Sequence, residues 1–248
     1  MKFIIFVILL LSSLVSSAKN KVIYKDVQIY TTDNLQPIVI LDKNDIGGFF
    51  GEFFHSATKE IISSYKINNF PWPRTQMELN KNVNSIIFPF ARNQAREKNY
   101  KWIFKLYDDP VCFYTKNASK KINTISEAEE MHSIGYLRNG PELDLINKMS
   151  AKVKKIDSAN INELLVKLFK KEIDIVVGGS YLKYIWKMNN FKEESLNCGA
   201  TLYKNELYVA ASLNSTDDFI FDLRNAMEKY KKTHNFKKLN EQYRFLWE

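Results

Sequence analysis

Residues 173–179 read IDIVVGG, and this stretch decides the fold class of the chain. Its first five residues are mostly apolar and β-branched, and the two glycines that follow predict a turn, so we expect a buried strand that ends there. Strands that are apolar along their whole length are typical of parallel sheets covered by helices on both faces. An amphipathic pattern over 160–169 predicts such a helix directly before the strand.

The sequence on both sides of this stretch repeats the alternation of strand and helix. Strand-like runs occur at 27–31, 66–70, 85–88, 133–137, 153–156 and 206–212. Helical patterns occur at 51–65, 75–81, 141–149, 216–233 and 236–245. Alternation of this kind predicts an α/β fold with parallel sheets. Thr216, which two aspartates follow, also predicts a capped helix start.

The N-terminus has the composition of a cleavable signal peptide. Residues 1–18 read MKFIIFVILLLSSLVSSA, with one basic residue, an apolar run over 3–11, and small residues at 16 and 18. The apolar run is short for a membrane helix, which needs roughly 20 apolar residues. We therefore expect an exported, soluble protein without stable insertion in the membrane, whose mature chain begins near Lys19.

Charge and residue composition narrow the function classes. The formal net charge is +8, but the lysines are spread along the chain rather than clustered on one face, so we do not expect nucleic-acid binding. The three histidines, His55, His132 and His234, are far apart and give no metal-ligand spacing. We expect no metal and no cofactor. Cys112 and Cys198 can form a disulfide in an oxidising compartment or remain small buried residues, and the sequence leaves both alternatives open.

Several segments in a fixed order resemble one protein family. Besides IDIVVGG they are GxxxGEFF over 47–54, FPWPR over 70–74, REKNYKW over 96–102, YDDPV over 107–111, GYLRNG over 135–140 and ELYVAAS over 206–212. In this order and spacing, the chain resembles the extracellular solute-binding proteins of bacterial polar amino-acid uptake systems, family 3. The resemblance covers nearly all of the mature chain.

The resemblance implies the type II periplasmic-binding-protein fold, in which two α/β lobes joined by two chain crossings hold the ligand in the cleft between them. The crossings are then expected near 107–112 and 202–208, with lobe 1 over 21–108 and 206–248 and lobe 2 over 109–205. The resemblance also implies a monomeric receptor in the periplasm. Such a receptor binds a small organic solute by hinge closure and delivers it to an inner-membrane ABC permease.

An arginine is the first candidate for ligand recognition. The family has an arginine in a TxxxxRxxxxxF/W pattern that binds the α-carboxylate of the ligand, and Arg96, six residues before Trp102, takes that place. A planar guanidinium donates two parallel hydrogen bonds to a carboxylate and stays charged when partly desolvated. Arg92, which a helix would place one turn earlier, is the second candidate. Both arginines could instead pair with Glu97 or solvent on the surface.

Two positions depart from the family pattern. Ala91 stands where many members have a threonine that contacts the carboxylate, and Gly179 stands where the family usually has the carboxylate that binds the ligand's amine. Burial of an unpaired ammonium group is costly, so we expect a solute with an anionic end and an apolar or neutral body. The acids that could replace the missing carboxylate are Asp33, Glu52, Asp108 and Asp109.

Six further residues are expected at the edge of the cleft: Tyr30, Asp33, Trp72, Arg74, Asn139 and Gly140. Trp72 would form an aromatic wall, although a core tryptophan fits the sequence equally well. Arg74 would add a cation. Asn139 and Gly140 precede a helix whose amide groups could complete an anion site, although a plain turn also explains them.

Two other functions are compatible with this fold. A periplasmic enzyme with dehydratase-like activity on cyclic acids needs a positioned general acid or base, and no histidine or acid stands out beside the candidate arginines. A sensor or interaction domain without a transport role would account for the two departures from the family pattern. The sequence favours a binding protein that is not an enzyme.

Overall fold

The computed structural model describes residues 22–31, 35–43, 45–116, 121–191 and 196–244. The predicted signal peptide lies outside these ranges. Within them, no helix combines the length and the apolar composition that crossing a membrane requires.

Strands and helices follow one another along the described chain in the predicted order, which confirms the α/β class. The strands are β1 (Val27–Thr31), β2 (Ile40–Asp42), β3 (Asp45–Gly47), β4 (Tyr65–Asn69), β5 (Ser85–Arg92), β6 (Lys101–Thr115), β7 (Ser133–Leu137), β8 (Lys154–Ser158), β9 (Ile175–Gly178), β10 (Asn197–Cys198) and β11 (Tyr203–Ala211). The helices are α1 (Gly48–Thr58), α2 (Trp72–Leu79), α3 (Ile125–Glu129), α4 (Leu143–Lys148), α5 (Ile161–Phe169), α6 (Tyr181–Met188), α7 (Asp217–Lys231) and α8 (His234–Gln242). Thr216 caps α7 as predicted, because its side chain accepts a hydrogen bond from the N–H of Phe219.

One mixed sheet runs through the molecule in the order β4-β1-β5-β11-β6-β9-β7-β8, and β10 pairs with β6. β1 is parallel to β4 and β5 in one half, which we call the first lobe. β7 is parallel to β8 and β9 in the other half, the second lobe. α1, α2 and α7 pack on strands of the first lobe or on one another, and α4 and α5 pack on strands of the second.

β6 and β11 connect the two lobes. β6 pairs with β11 up to Val111, whereas residues 112–114 pair with β9 of the second lobe. β11 pairs with β5 of the first lobe from Glu206 onward. The crossings predicted near 107–112 and 202–208 lie on these two strands, and the exact limits of the lobes stay a prediction.

Cys112 and Cys198 form a disulfide, with 5.8 Å between their Cα atoms. The bond joins β6 to β10, where Cys198 lies opposite Tyr114. The two cysteines are 86 residues apart in sequence, so the bond closes a loop that contains most of the second lobe. Of the two alternatives that the sequence leaves open, the structure has the disulfide.

Buried aromatic side chains hold the first lobe together. Phe49, Phe50, Phe53 and Phe54 of α1 are almost fully buried in the largest hydrophobic core. Phe54 stacks on Phe88 of β5, with 5.3 Å between ring centroids. Each fully buried side chain of this size stabilises the fold by about 1.5–3 kcal/mol. This packing fixes β5, and with it the segment that follows, against the helical layer.

β5 is longer than the sequence indicates, since it ends at Arg92 rather than at Phe88. It continues because Ala91 and Arg92 pair with β11. Arg92 and Arg96 therefore do not share a helix, and the expectation that one helical turn separates them was wrong. α6 was also missed by the sequence analysis.

Candidate functional site

A cavity of about 60 Å³ lies between the two lobes. The first lobe contributes Leu35, Ile38, Trp72, Pro89, Ala91 and Arg96, the second Leu137, Pro141, Glu142, Ala159, Ile161 and Tyr181, and the crossing strands Asp109, Asn205 and Leu207. Such a space is larger than the roughly 10–15 Å³ that a cavity needs to hold one water molecule. In this arrangement the cavity fits a solute with few non-hydrogen atoms.

Arg96 lies in the wall of this cavity, in the turn that follows β5. Its backbone N–H donates to the side chain and the carbonyl of Asn93, which fixes the turn. The side chain is 8% exposed and lies over the ring of Phe90, 4.4 Å from the ring centroid. Nη1 donates to the carbonyl of Ala91 at 3.0 Å, and Nη2 donates to the carbonyl of Asn139 at 3.1 Å.

The charge of Arg96 survives this burial. Loss of contact with water lowers the pKa of Arg96, and Tyr100, Glu142 and Asp144 act in the opposite direction. Arginine stays protonated in proteins even when desolvated. The cavity wall therefore contains a fixed cation.

Arg92 and Arg74 are not among the residues that line the cavity. Nε and Nη2 of Arg92 donate to the carboxylate of Glu97 at 2.8 Å and 2.5 Å. This is the surface pairing that the sequence analysis gave as the alternative role. Arg74 is exposed, and its guanidinium lies over the ring of Phe70, 4.3 Å from the ring centroid.

The aromatic candidates are divided between the cavity and the core. Trp72 lines the cavity and packs against Phe90, with 5.7 Å between ring centroids. Tyr30 is 3% exposed and belongs to a small core with Trp72 rather than to the cavity wall. Its hydroxyl accepts a hydrogen bond from Nδ2 of Asn82 at 2.7 Å. Asp33 lies outside the described residues.

Asn139 and Gly140 form the turn after β7. The carbonyl of Asn139 accepts the hydrogen bond from Arg96, and the N–H of Gly140 donates to the carbonyl of Leu137 at 2.9 Å. α4, which follows, is a short helix of six residues. This turn therefore presents a carbonyl oxygen to the arginine and the carboxyl group of Glu142 to the cavity, instead of the amide groups that we expected for an anion.

Asp109 lies on the crossing strand β6 and is 3% exposed. Its Oδ1 accepts two hydrogen bonds from Ser180, one from the backbone N–H at 2.9 Å and one from Oγ at 2.7 Å. Burial raises the pKa of this carboxyl group to about 6, although the bonds from Ser180 lower it. Among the acids named as replacements for the missing carboxylate, Glu52 accepts a hydrogen bond from Tyr243, and Asp108 pairs with Lys105. Asp109 is the one that the described structure places in the cavity.

Glu142 is a functional candidate that the sequence analysis missed. It is 3% exposed, and its Oε1 accepts a hydrogen bond from Nδ2 of Asn205 at 3.1 Å. Burial raises the pKa of Glu142 to about 7, and the nearby Asp109 raises it further, whereas a hydrogen bond from its own backbone N–H, Asn205 and Arg96 lower it. In the sequence it reads as an ordinary acid at a helix start. Asn205 reaches Glu142 only because its strand, β11, lies beside the turn after β7.

Solved structures share this architecture. A histidine kinase sensor domain with similarity to periplasmic binding proteins has a TM-score of 0.79 at 10% identity, over 88% of this chain and 95% of its own. The substrate-binding protein of an amino acid ABC transporter has a TM-score of 0.74 at 14% identity, over 89% and 99%. The chain has the type II periplasmic-binding-protein fold.

A third similar structure is the ancestral amino acid-binding protein AncCDT-1, a precursor of cyclohexadienyl dehydratase. Its TM-score is 0.75 at 15% identity, over 88% of this chain and 95% of its own. At identities this low the likeness is one of fold. The sequence matches no protein-family model and no curated protein at a significant level.

Proposed function

We propose that the protein is a solute-binding receptor that captures a small organic solute with a carboxylate in the cleft between its lobes. The observation that carries this proposal is the buried guanidinium of Arg96 in the wall of the interlobe cavity. Its bonds to Ala91 and Asn139 use two of the five N–H groups that a guanidinium has. The other N–H groups suit a carboxylate, which forms strong charge-assisted hydrogen bonds with arginine.

Closure of the lobes around the solute fits the position of Arg96. The side chain belongs to the first lobe and donates to Asn139 of the second, so a solute on this guanidinium lies where both lobes reach it. β6 and β11 are the two connections about which such lobes close. The apolar wall that includes Trp72 and Ile161 suits an uncharged solute body.

The same proposal places the protein in the periplasm as a monomer that delivers its solute to an inner-membrane ABC permease. It is supported by the predicted signal peptide and by the likeness to the substrate-binding protein of an amino acid ABC transporter. Uptake of the labelled solute by cells with and without the gene tests the transport role. Equal uptake by both strains would favour a sensor role, which the likeness to a histidine kinase sensor domain also fits.

A thermal-shift screen of organic acids and amino acids tests solute binding. A solute at a hundredfold excess over its dissociation constant stabilises the protein by about 2.7 kcal/mol. We expect Arg96→Ala to remove most of this stabilisation, and Arg92→Ala, whose guanidinium pairs with Glu97, to retain it. An unchanged shift in the Arg96→Ala variant would contradict the proposal.

A second candidate function is an enzyme that uses a buried carboxyl group as a general acid. Burial raises the pKa of Glu142 to about 7, and an acid near neutral pH in a cavity beside an arginine suits proton transfer to a bound organic acid. The sequence analysis found no such acid. Incubation of the protein with cyclic carboxylic acids separates the two functions. Turnover that the Glu142→Gln substitution abolishes indicates an enzyme. Stoichiometric binding without product indicates a receptor.

A further inference from the structure

The interlobe cavity contains two buried carboxyl groups that the capture of a carboxylate does not use. Asp109 and Glu142 line this cavity, and each is 3% exposed. In the described part of the chain, neither forms an ion pair with a lysine, arginine or histidine. A buried carboxylate without such a partner is costly, and the group lowers that cost when it binds a proton. Each acid is therefore a candidate proton-binding site.

Both acids are connected to the strands about which the lobes close. Asp109 belongs to the crossing strand β6, and Asn205 lies opposite it on the other crossing strand, β11. Nδ2 of Asn205 donates to Oε1 of Glu142, which lies in the second lobe just before α4. The second lobe also contributes Ser180, whose N–H and Oγ donate to Oδ1 of Asp109. A movement of the lobes about β6 and β11 therefore changes the surroundings of both acids.

The backbone of β9's end encloses one of the acids. A Cβ atom on residue 179 would lie 2.7 Å from Cγ of Asp109 and closer still to its Oδ2. Real Cβ contacts are essentially never shorter than 3.0 Å, so the carboxyl group of Asp109 rests against the backbone of Gly179 in space that a larger residue would fill. This close contact excludes water from one side of the acid.

The charged and titratable groups around the two acids come from five parts of the fold. They are Arg96 of the turn after β5, Tyr107 and Tyr114 of β6, Asp144 of α4, Tyr181 of α6 and Tyr203 of β11. Burial raises the pKa of each of the four tyrosines, so they stay neutral near neutral pH. Arg96 is the one cation among these described groups.

Lobe closure changes the number of protons that the two acids bind. Burial raises the pKa of Glu142 from 4.5 to about 7 and the pKa of Asp109 from 3.8 to about 6. Separation of the lobes admits water to the cavity, which returns both values towards the ordinary ones. Separation also removes Arg96 from Glu142 and so acts in the opposite direction, but burial is the larger cause of the shift. The closed protein therefore binds more protons than the open one between these values.

A bound carboxylate favours the protonated acids further. The charged groups among the described residues that line the cavity are the guanidinium of Arg96 and the two carboxyl groups. With both acids ionised, this wall has one net negative charge and repels a carboxylate. With both acids protonated, it has one net positive charge and attracts one. The protonated cavity is therefore the form that suits an anionic solute.

We propose that Asp109 and Glu142 make solute capture sensitive to pH, because closure of the lobes on a carboxylate takes up protons on these acids and their ionisation favours release. This inference rests on the proposed function and adds a means of control at the same site. The protons come from the solvent and return to it when the lobes open. The proposal also accounts for the presence of two acids in a cavity that binds an anion.

The direction of the pH effect follows from the raised pKa values. Proton uptake on closure is present while the closed form holds its protons, and it is lost as pH rises through about 6 for Asp109 and about 7 for Glu142. A proton that only the closed form binds changes the affinity about tenfold per pH unit. We therefore expect the affinity for a carboxylate to fall about tenfold or more between pH 6 and pH 8.

Calorimetric titrations at pH 6, 7 and 8 test this expectation. The probes are acetate, propanoate, butanoate, benzoate and alanine, whose own charges do not change over this range. The affinity for the tightest-binding probe should fall with rising pH by the factor given above. Titration at pH 6 in two buffers with different ionisation enthalpies counts the protons exchanged, and we expect uptake of roughly one proton per bound solute.

Neutral variants assign the effect to the two acids. Glu142→Gln keeps an oxygen that can accept from Asn205, and Asp109→Asn keeps one that can accept from Ser180, but neither side chain ionises. At pH 8 each variant should bind the probe at least about tenfold more tightly than the native protein. The double variant should bind equally well at pH 6 and pH 8. A merely structural role predicts the reverse, a loss of affinity at every pH.

Asp108→Asn is the matched control. Asp108 adjoins Asp109 on β6, but it pairs with Lys105 and is not among the described residues that line the cavity. This variant should keep both the affinity and the pH dependence of the native protein. Circular dichroism and melting without solute identify any variant that fails to fold. In that case the other acid variant and the proton uptake of the native protein decide.

Arg96→Ala separates failure of the pH control from failure of the receptor. If Arg96→Ala weakens binding, but the native affinity stays level or rises from pH 6 to pH 8, only the pH control is overturned. The same holds if Glu142→Gln and Asp109→Asn keep the native pH dependence. If no probe binds, or if Arg96→Ala has no effect, the proposed receptor function is overturned and the pH control with it.

Discussion

The guanidinium of Arg96 donates a hydrogen bond across the cleft to the backbone carbonyl of Asn139, with 3.1 Å between Nη2 and the oxygen. Arg96 belongs to the first lobe and Asn139 to the second. The group that we propose for solute recognition therefore also links the lobes. In the proposed receptor, solute binding and lobe closure therefore involve the same side chain.

Arg96→Lys should weaken solute binding although it keeps the charge. The lysine ammonium is a compact charge without the planar fork, so it cannot reproduce the bonds to Ala91 and Asn139 and also bind a carboxylate. We expect a loss of about 1.5–3 kcal/mol of binding free energy, the worth of one hydrogen bond to a charged group. Calorimetric titration with the tightest solute of the screen measures it. Arg92→Lys is the control, and an equal loss in both variants would contradict the assignment.

Glu142→Gln should raise the stability of the protein above neutral pH. The native pKa of Glu142, about 7, lies above its ordinary value of 4.5, so the folded protein binds more protons between these values and its stability falls as pH rises through that range. At about 1.4 kcal/mol per pKa unit, the penalty above pH 7 is about 3 kcal/mol.

Denaturant unfolding without solute at pH 5 and pH 8 measures this effect. The free energy of unfolding should differ less between the two pH values in Glu142→Gln than in the native sequence. Glu130→Gln, at an exposed position of the second lobe, should not reduce it. Parallel pH profiles for all three proteins would show that Glu142 ionises as it does in water.

Removal of the disulfide should lower the free energy of unfolding. The bond between Cys112 and Cys198 closes a long loop, and loss of a native disulfide typically costs about 2–5 kcal/mol because the unfolded chain gains freedom. Cys112→Ala with Cys198→Ala should lower the denaturant midpoint, as should reduction of the native protein. A reductant should have no further effect on the double variant. An unchanged midpoint after complete reduction would refute the prediction.

Tyr30→Phe should reduce stability without any effect on solute binding. The hydroxyl of Tyr30 accepts a hydrogen bond from Asn82 in the core of the first lobe, and loss of one such bond costs about 0.5–1.5 kcal/mol. Denaturant unfolding measures the cost, and the double-mutant cycle with Asn82→Ala isolates the pair. A clear loss of solute affinity would instead place Tyr30 at the ligand, as the sequence suggests.

The candidate site shows where sequence patterns stop being informative. Arg96 was proposed because it falls on the arginine of a motif in the family that the chain resembles, six residues before Trp102. Arg92 was the second candidate, and in the structure it pairs with Glu206 in the sheet and its side chain donates to Glu97. Glu142 has no local signal at all, since its burial and its bond to Asn205 depend on a strand more than sixty residues away.

The sequence by itself determined the α/β alternation, the order of most strands and helices, and the caps such as Thr216, because periodicity, capping and turn chemistry act over a few residues. The tertiary structure decided which acids share the cavity, whether the cysteines pair, and why residue 179 is glycine. At residue 179 a side chain would collide with the carboxyl group of Asp109, seventy residues away in the sequence. Close packing of distant segments, rather than any local preference, sets that arrangement.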